Sequence, residues 1–589
     1  MPNYRAPLND MKFVLFDVLK AEHLSELEGF EYATQDTTLA VLEEAAKLAE
    51  NVFLPTNQVG DIEGCHYDPD SKTVTTPAGF KEAYQQFAEG GWSGLSASVD
   101  FGGQGLPHLL KIVVDEMACS SNLSLGMYPG LSHGAIDALT QHANDELKNE
   151  YLPKLIAGEW TGTMCLTEPQ CGTDLGLIRT KAEPQGDGSY NITGTKIWIT
   201  GGEHDMVDNI VHLVLAKLPG APDSSKGISL FLVPKVLADG TRNPAFCGGL
   251  EHKMGIKGSA TCVMNFEGAK GWLIGEENEG LKCMFTMMNA ARIMVGVQGL
   301  GLAETGYQIS LGFAKERLQS RSITGPKNPD DKADPIIVHA DVRRMLLQQK
   351  AFIEGARMMA YWTGLNLDIA HHHDDEATRE RADDIVQIMT PIIKAYLTDE
   401  GYNAIDQGLQ SMGGSGFTQD WEIEQLLRDA RISRIYEGTN GIQSLDLVGR
   451  KLMLKGGRLP KTYFKAMHGF IQQLHNEDHK VLCEHLLAEL QACLHWLAEG
   501  AMKNPDQAGA TATPMLKLFA TCTMAVMWAT MANVAKNKLG DGDYSDDFYQ
   551  GKIKTADHFM RIARSQAAAL RIDIESGSAS VMSLEESEF

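Results

Sequence analysis

The feature that most constrains this chain is a change of hydrophobic period along its length, from helical to strand-like and back to helical. Apolar residues recur every three to four positions in residues 36–53 and 110–127, as in amphipathic helices. Over about 161–275 the apolar runs become short and are separated by Gly, Pro and Asp, which is typical of strands. Helical spacing returns at residue 280. This order is not the strand–helix alternation of a dinucleotide-binding fold.

We therefore predict an α+β multidomain protein with four parts. Residues 1–160 form an N-terminal helical domain, 161–278 a middle β-barrel-like domain, 279–455 a helical bundle and 456–589 an additional C-terminal helical domain. The Gly-containing segment 455–461 is the predicted joint before the last domain. Beyond it we expect three helices and a loosely ordered polar tail. A chain of 589 residues exceeds what one hydrophobic core usually serves.

Charge and cysteine usage exclude several functional classes. The chain has 52 Lys and Arg against 77 Asp and Glu, a net charge of −25. This balance argues against a general affinity for nucleic acid or anionic membranes. The 10 cysteines include no CxxC pair, which disfavours structural zinc and a disulfide framework and favours a reducing compartment. With no signal-peptide pattern at the start, we expect a cytoplasmic protein.

Two segments allow a membrane or a metal interpretation. Residues 518–535 form an uncharged run long enough to cross a membrane, but its threonines and asparagine favour a buried bundle helix. Residues 371–373 are three consecutive histidines, which cannot share one helix face. They favour a solvated helix connection over a metal site. We expect no integral membrane segment and no metal ion.

Glu437 stands in "RISRIYEGTNGIQ", residues 431–443, directly before a glycine. One interpretation is a helix start, where Thr439 or Asn440 caps the first turn and an acid is favoured by the helix dipole. The other is a general base on a short loop, where Gly438 lets a ligand approach the backbone closely. The stretch taken alone favours the helix start.

A second motif is "MCLTEPQCGTD", residues 164–174. It predicts a strand that ends in a proline turn, followed by a loop that offers Thr167, Gly172 and Thr173. Hydroxyls and exposed amides at these positions can bind the polar edge of a flat heterocycle. A solvent-facing turn is the alternative interpretation.

A third motif is "KIWIT", residues 196–200. In a strand, Trp198 and Thr200 point to one face, and Ile197 and Ile199 to the other. An indole beside a hydroxyl can stack on a ring and hydrogen-bond its edge. A tryptophan buried in the core is the alternative.

Taken in this order, the motifs resemble the acyl-CoA dehydrogenase family from about residue 35 to 450. "LTEPQCGTD" is similar to that family's L-T-E-P-x-A-G-S-D, and "KIWIT" to its K-x-W-I-T. "KMGIKGSATCVMNFEG" and "RDARISRIYEGTNGIQ" resemble two further family motifs. The resemblance implies bound FAD, oxidation of an acyl-CoA to the trans-2-enoyl-CoA, and an electron-transfer flavoprotein as acceptor.

Carried over residue by residue, the resemblance implies that Glu437 removes the α-proton while a hydride leaves the β-carbon for flavin N5. Some family members place the base on an earlier helix, where this chain has Ala291. The residues implied in cofactor binding are Met164, Leu166, Thr167, Gly172, Thr173, Trp198, Thr200, Arg317, Gln319, Gln410, Gly413, Gly414 and Thr439. Those implied in substrate binding are Thr173, Asn289, Arg292 and Gly438.

The chain also departs from the family pattern. "RLQSRS", residues 317–322, replaces R-x-x-F-G, so that Ser320 and Arg321 occupy the usual Phe and Gly positions next to Gln319. The chain is about 200 residues longer than a typical member, and its additions resemble a large bacterial branch that includes 3-(methylthio)propanoyl-CoA dehydrogenases. The resemblance to this branch implies 3-(methylthio)propanoyl-CoA as the substrate. It also implies a homodimer, because the extra helices can cover a subunit surface.

Three alternatives for function stay open at this point. A dehydrogenase for medium- or long-chain fatty acyl-CoA needs the same base and flavin with a different acyl pocket. An acyl-CoA oxidase shares the flavin chemistry but passes electrons to oxygen and releases peroxide. A catalytically silent helical scaffold keeps the fold for partner binding and takes up no FAD.

Overall fold

A computed structural model describes residues 4–501 and 503–589 of the chain. Within these residues the helical, β and helical blocks follow one another as predicted. The α-helices are α1 Leu8–Lys12, α2 Gln35–Leu48, α3 Leu54–Glu63, α4 Phe80–Glu89, α5 His108–His142, α6 Asp145–Ile156, α7 Gly280–Glu316, α8 Ala340–His372, α9 Glu376–Met412, α10 Gly414–Phe417, α11 Ile423–Arg431, α12 Asn440–Gly449, α13 Arg458–Gln472, α14 Glu477–Ala501, α15 Asp506–Asn537 and α16 Asp546–Ser576. The strands are β1 His66–Asp68, β2 Thr73–Thr75, β3 Trp160–Cys165, β4 Lys181–Pro184, β5 Tyr190–Thr200, β6 Asn209–Lys217, β7 Ile228–Pro234, β8 Ala245–Leu250 and β9 Thr261–Ile274.

The chain divides into two compact units. Glu44–Met294 forms the first, which we call the middle unit. Most of the first 43 residues, together with Val295–Phe589, form the second, which we call the bundle unit. Each unit has its own buried core.

The middle unit is built around a seven-stranded sheet with the order β3-β6-β4-β5-β9-β7. β6 also pairs with β7, so that β6, β4, β5, β9 and β7 close into a ring, and β8 adds to β9. β6 and β7 are buried along nearly their whole length. Their sequences are continuous apolar runs rather than alternating ones, as expected for strands that are covered on both faces.

Helix α5 in the middle unit contains a break that the sequence periodicity does not show. Asn122 has non-helical backbone angles, φ −159° and ψ 95°. Its Nδ2 donates to Thr56 Oγ1 at 2.9 Å, and its Oδ1 accepts from the backbone N–H of Leu125 at 3.0 Å. Because the side-chain oxygen binds an otherwise unpaired N–H, Asn122 acts as an N-cap for the second half of α5.

The bundle unit contains the long helices α8 and α9 and the four helices α13 to α16. Trp528 on α15 is fully buried, and its Nε1 donates to the backbone oxygen of Ala351 on α8 at 2.8 Å. A Cβ on Gly355 of α8 would lie 2.6 Å from Met524 and 2.7 Å from the Trp528 indole nitrogen. Glycine therefore permits the close approach of α15 to α8.

Helix α15 contains the apolar run that raised the membrane question. Among the described helices it alone is long and apolar enough to cross a membrane, and 83% of its most apolar window is buried inside the chain. Such burial is typical of a core helix, which agrees with the predicted bundle helix.

The last part of the chain has one more helix than we expected. Gly456 and Gly457 adopt φ of +67° and +76°, so a turn does occur in the predicted joint. Helix α13 starts directly after it at Arg458, inside the segment that we had assigned to the joint. Four helices therefore follow rather than three, and the residues after Ser576 form turns and a short 3₁₀ helix.

A buried charge cluster ties helices α1, α7, α8 and α16 together in the bundle unit. Asp10 on α1 binds both Arg357 on α8 and Lys552 on α16. Arg357 also donates to Glu304 on α7 at 2.7 Å, and Lys552 donates to Glu354 at 2.8 Å. Asp10, Arg357 and Lys552 are all at least nine-tenths buried. The charges satisfy one another in the core, as buried charges must.

Candidate active site

In the middle unit, the end of strand β5 presents an exposed indole. Trp198 is 60% exposed and has a φ of +60°. The pairing of β5 with β9 shifts register between Lys196 and Ile199, so a bulge interrupts the alternation that we predicted. The core-tryptophan interpretation is wrong, because a bulge at a strand end leaves the ring uncovered. An indole with this exposure can stack on a flat ligand.

The loop after β3, residues 166–180, folds around the carboxylate of Glu168, which is 3% exposed. Glu168 Oε1 accepts from Lys196 Nζ at 2.8 Å and from Thr180 Oγ1 at 2.6 Å, and Oε2 accepts from the backbone N–H of Arg179 at 2.7 Å. Burial alone would raise the pKa of Glu168, but the Lys196 ammonium and these hydrogen bonds lower that pKa to about 2. The carboxylate therefore stays charged and holds the loop to β5.

Our sequence reasoning assigned no role to Glu168 or Lys196, although both lie inside the quoted motifs. The available signal was a charged residue in each of two motifs, one in the loop after strand β3 and one inside strand β5. Charged side chains are almost never fully buried unless they are paired. Two such residues in adjacent motifs therefore indicate a buried ion pair.

In the bundle unit, Glu437 lies on a turn directly before helix α12. Glu437 has a φ of +57° and Gly438 a φ of +85°. Gln443 Nε2 donates to the backbone oxygens of both residues at 3.2 Å. A Cβ on Gly438 would lie 2.6 Å from that nitrogen, so the chain itself requires glycine here. A non-glycine residue with positive φ is strained and persists only where its surroundings fix it.

Both ends of this turn are attached to helix α9. On one side, Arg434 Nε donates to Asp399 Oδ1 at 2.6 Å. On the other, Asn440 Nδ2 donates to the same carboxylate oxygen at 2.9 Å, and Lys394 Nζ donates to Asn440 Oδ1 at 2.9 Å. The segment that carries Glu437 is therefore held at two points by one helix.

The helix-start interpretation of this stretch is confirmed in one respect. Thr439 is the N-cap of α12, and its side-chain oxygen accepts from the backbone N–H of Ile442. Asn440 lies inside the helix and instead binds α9. A capped helix start does not exclude a base, because Glu437 stands on the non-helical turn before the cap.

Comparison with known proteins identifies the fold. Residues 36–159, 163–269 and 278–453 match the acyl-CoA dehydrogenase N-terminal, middle and C-terminal domains, and 463–585 match a domain described as acetyl-CoA dehydrogenase C-terminal like. A 3-methylmercaptopropionyl-CoA dehydrogenase of Ruegeria pomeroyi is 41% identical over 572 residues, 95% of each chain. A butyryl-CoA dehydrogenase of Syntrophomonas wolfei is 34% identical over 95% of this chain and 94% of its own.

The chain belongs to the acyl-CoA dehydrogenase family. Members of this family are FAD-dependent oxidoreductases that act on CH–CH bonds. A solved acyl-CoA dehydrogenase of Bacillus anthracis in complex with FAD has a TM-score of 0.74 at 22% identity, over 94% of this chain and 90% of its own. That likeness supports the fold.

The flavin-binding positions of an acyl-CoA dehydrogenase fit an FAD here. The hydroxyls of Thr167, Thr173 and Thr200 are half-buried or exposed, so they can donate to the edge of a ring. The 60% exposed indole of Trp198 follows at the end of β5. No heavy atom of the described residues lies within 4 Å of a Cβ built on Gly172. Met164 is half-buried within strand β3, and Leu166, the first residue after that strand, is also half-buried.

The remaining positions of the family pattern lie on several elements. Asn289 is exposed and Arg292 is 6% exposed, both on α7 in the middle unit. In the bundle unit, Gln410 is near the end of α9, and Gly413 and Gly414 are exposed with open space beside them. A backbone without side chains, as at these two glycines, allows a phosphate to approach closely.

Arg317 and Gln319 are exposed and follow helix α7 in the bundle unit. Leu318 forms an isolated β-bridge with Pro335, which closes the enlarged loop between them. Asp334 accepts from the backbone N–H groups of several loop residues, chiefly Ser322, and these bonds lower the pKa of Asp334 to about 2. The loop is therefore organised from inside, although its sequence departs from the family pattern.

Two groups of histidines were considered as metal ligands. His371–His373 lie at the end of α8, where His373 Nδ1 accepts from the Asp375 backbone N–H. In the middle unit, His108, His133 and Asp137 place ligand atoms within 4.8 Å of one another. Burial and the nearby Lys111 ammonium lower the pKa of His133. Since that ammonium already supplies a positive charge, we assign no metal ion to the group.

Proposed function

We propose that this protein oxidises an acyl-CoA thioester to the trans-2-enoyl-CoA, with Glu437 as the base that removes the α-proton. The observation that carries the proposal is the turn at residues 435–439, which helix α9 holds at both ends. Glu437 is the only acid between Asp429 and Asp446. A carboxylate on a fixed turn loses little freedom when substrate binds, which favours a positioned general base.

The backbone of Glu437 has a second proposed role. Its N–H donates to the thioester carbonyl oxygen, so that negative charge on this oxygen is stabilised as the α-proton leaves. The positive φ of Glu437 and Gly438, fixed by Gln443, keeps this N–H in one orientation. Bound FAD supplies, at flavin N5, the acceptor for the hydride that leaves the β-carbon.

The cofactor-binding residues are proposed from the family pattern and supported by their exposure. Thr167 and Thr200 bind the edge of the flavin ring and Trp198 covers it. Gln410, Gly413, Gly414 and Thr439 bind the adenine and diphosphate side. Arg317 and Gln319 reach the diphosphate of a neighbouring subunit. The proposed set is completed by Met164, Leu166, Gly172 and Thr173 at the flavin, and by Thr173, Asn289, Arg292 and Gly438 at the substrate.

We propose 3-(methylthio)propanoyl-CoA as the acyl substrate, because a relative of that name shares 41% identity across 95% of each chain. A linear alkyl chain is the second candidate, favoured by the 34% identity with a butyryl-CoA dehydrogenase. Turnover of a panel of acyl-CoAs with a dye acceptor separates them. We expect kcat/KM for the methylthio substrate to exceed that for butyryl-CoA and octanoyl-CoA by about tenfold or more, since one additional chain atom in a fitted apolar pocket is worth about 1–3 kcal/mol.

The electron acceptor, assembly and location are proposed with the same reaction. An electron-transfer flavoprotein accepts the electrons, the enzyme is a homodimer and it acts in the cytoplasm. Stoichiometric peroxide release with oxygen as sole acceptor would instead identify an oxidase. Sedimentation that shows only a tetramer would refute the dimer. A purified protein that takes up no FAD would support the silent-scaffold alternative.

The role of Glu437 is tested by replacing it with glutamine. We expect Glu437→Gln to keep the flavin absorbance and to lose about 10²–10⁴-fold in turnover, the usual contribution of a general base. The matched control is Glu424→Gln on α11, which removes a carboxylate paired with Arg428 at 2.8 Å and which should stay within twofold of the native rate. Near-normal turnover of Glu437→Gln would contradict the mechanism.

A further inference from the structure

We propose that the buried Glu168–Lys196 pair positions the flavin ring by locking together the two segments that carry the proposed ring contacts. This inference rests on the proposed function, because it takes Thr167, Trp198 and Thr200 as flavin contacts. It assigns positioning roles to two residues that touch neither substrate nor, in this proposal, the flavin.

Lys196 binds the chain on both sides of Thr167. Its Nζ donates to the backbone oxygen of Leu166 at 3.0 Å and to Glu168 Oε1 at 2.8 Å. One residue further along β5, the backbone N–H of Ile197 donates to the backbone oxygen of Thr167 itself at 2.9 Å. Three consecutive residues of the first segment are thus held by two consecutive residues of the second. Trp198 is the next residue after them.

Glu168 also binds the rest of the loop. Besides Lys196, its carboxylate accepts from the backbone N–H and the hydroxyl of Thr180 at 3.1 and 2.6 Å, from the backbone N–H of Arg179 at 2.7 Å and from Gln170 Nε2 at 2.6 Å. These bonds close the loop that contains Gly172 and Thr173. A single carboxylate therefore fixes both ends of the loop.

The choice of charged residues favours positioning over simple stabilisation. Lys196 is 0% and Glu168 3% exposed, so both charges were removed from water at a large desolvation penalty. A buried ion pair can often be replaced by well-packed apolar residues without loss of stability. What apolar residues cannot supply is the set of directional bonds to Leu166, Arg179 and Thr180.

The strained backbone of Trp198 is an independent indication that neighbouring bonds must hold this segment in place. A φ of +60° is rare for a bulky residue and persists only when neighbouring bonds over-determine it. Lys196 stands two residues before Trp198, and Ile199, directly after it, is 2% exposed and paired with Cys262. The indole is therefore held between two fixed points, and one of them is the lysine of the pair.

The middle unit supplies a matched control. Glu203 is 1% exposed and pairs with Lys235 and with Arg242 Nη2, the latter at 2.9 Å. Glu203 is as buried as Glu168 and lies in the same unit. Its ion pairs with Lys235 and Arg242 involve none of the proposed flavin contacts. A change that acts only through stability of the unit will therefore appear in Glu203 variants as well.

The test compares Lys196→Met, Lys196→Arg, Glu168→Gln and Glu203→Gln in the full-length holoenzyme. The readouts are FAD bound per chain, the visible circular dichroism of the flavin, kcat and KM, thermal unfolding, and amide hydrogen exchange of residues 166–180. For Lys196→Met we expect exchange of the Arg179 and Thr180 amides to accelerate at least tenfold, the flavin dichroism to change and kcat to fall at least tenfold. Lys196→Arg should recover part of each change.

Glu203→Gln should lower the unfolding temperature without altering flavin dichroism, kcat or exchange of the loop. The proposal is overturned if Lys196→Met leaves exchange and dichroism within twofold of native, or if Glu203→Gln changes them equally. It is also overturned if Lys196→Met and Glu168→Gln both fail to fold while Glu203→Gln folds, because the pair is then only a folding requirement. A native protein that binds no FAD would refute the proposed function, whereas a native active enzyme with an unaffected Lys196→Met would refute only the positioning role.

Discussion

The two units each contain a buried charge cluster, and the clusters differ in what they connect. In the middle unit, Glu168 and Lys196 are 28 residues apart and join the loop after β3 to strand β5. In the bundle unit, Asp10 binds Arg357 and Lys552, which are 347 and 542 residues away. The first cluster lies inside the sequence motifs of the family. The second joins a segment before the first matched domain to the bundle and to the last domain.

This difference separates two uses of buried charge. Apart from Lys196, the partners of the Glu168 carboxylate all lie in one loop, at Gln170, Arg179 and Thr180, so the pair sets local geometry. The partners of Asp10 are side chains on α8 and α16, so that cluster sets which helices pack together. Buried ions are weak evidence for net stability but can specify one arrangement of a fold. We infer that the Asp10 cluster specifies how the N-terminal segment and the last domain attach to the bundle.

The largest expected effect comes from removing the guanidinium of the bundle cluster. Arg357→Met leaves the carboxylates of Asp10 and Glu304 in the core with one fewer cation. Breaking a buried ion pair in this way costs about 3–5 kcal/mol. Urea unfolding followed by far-ultraviolet circular dichroism measures this loss. The folded fraction should keep its FAD content, in contrast with Lys196→Met. A loss below about 1 kcal/mol would show that the cluster behaves like a surface network.

Most of the architecture was predictable because it depends on local pattern. The order of blocks follows from hydrophobic period, the Thr439 cap from residue type and position, and the burial of α15 from its apolar run. The break in α5 was not predictable, since the apolar period continues across Asn122 and the decisive bond is to Thr56. The bulge at Trp198 depends on pairing with β9, which no local pattern specifies.

The two charge clusters show why some buried residues could not be predicted from the sequence. Asp10, Lys552 and Glu354 each resemble residues of a solvated helix face when they are considered in sequence alone. Only the tertiary fold brings them together, across as many as 542 residues. Glu168 and Lys196 lie within the family motifs, but the sequence of the first motif left a solvent-facing turn open as an alternative. In both cases burial was the missing information, and burial is set by the whole chain.

The stability of the protein should depend on pH in the acid range because of both clusters. This effect should be smaller than that of Arg357→Met. Burial would raise the pKa of Asp10, but Lys552 and Arg357 lower it from 3.8 to about 2, and the pKa of Glu168 is also about 2. The folded state binds these protons less readily than the unfolded chain. The stability that each carboxylate contributes is therefore fully present above its ordinary pKa near 4, and is lost as the pH falls toward 2.

Urea unfolding at pH 7, 5, 4 and 3 measures this dependence. Native protein should show little change between pH 7 and 5 from these groups, and a decline below pH 4. In Asp10→Asn the decline between pH 5 and pH 3 should be shallower by about 1 kcal/mol, even though the variant is less stable at neutral pH. Glu168→Gln should be shallower by a similar amount. An unchanged acid slope in both variants would mean that neither carboxylate is held ionised by its cluster.

The smallest expected effect belongs to an ion pair of the same length at the surface. Arg344 Nε and Asp341 Oδ1 on α8 are 2.8 Å apart, the same distance as Lys552 to Glu354 and Lys196 to Glu168. The side chains of Arg344 and Asp341 are 48% and 73% exposed, so water already solvates both charges. Arg344→Met should change the free energy of unfolding by less than about 0.5 kcal/mol.

That small change should disappear at about 0.5 M salt, where the screening length falls to a few ångströms. The effect of Arg357→Met should persist there, because buried pairs are screened much less. If Arg344→Met destabilised the chain as strongly as Arg357→Met, then the distance between charges rather than their burial would set the effect. The distinction between the clusters and ordinary surface pairs would then be lost, and with it the reason to assign either cluster a specific role.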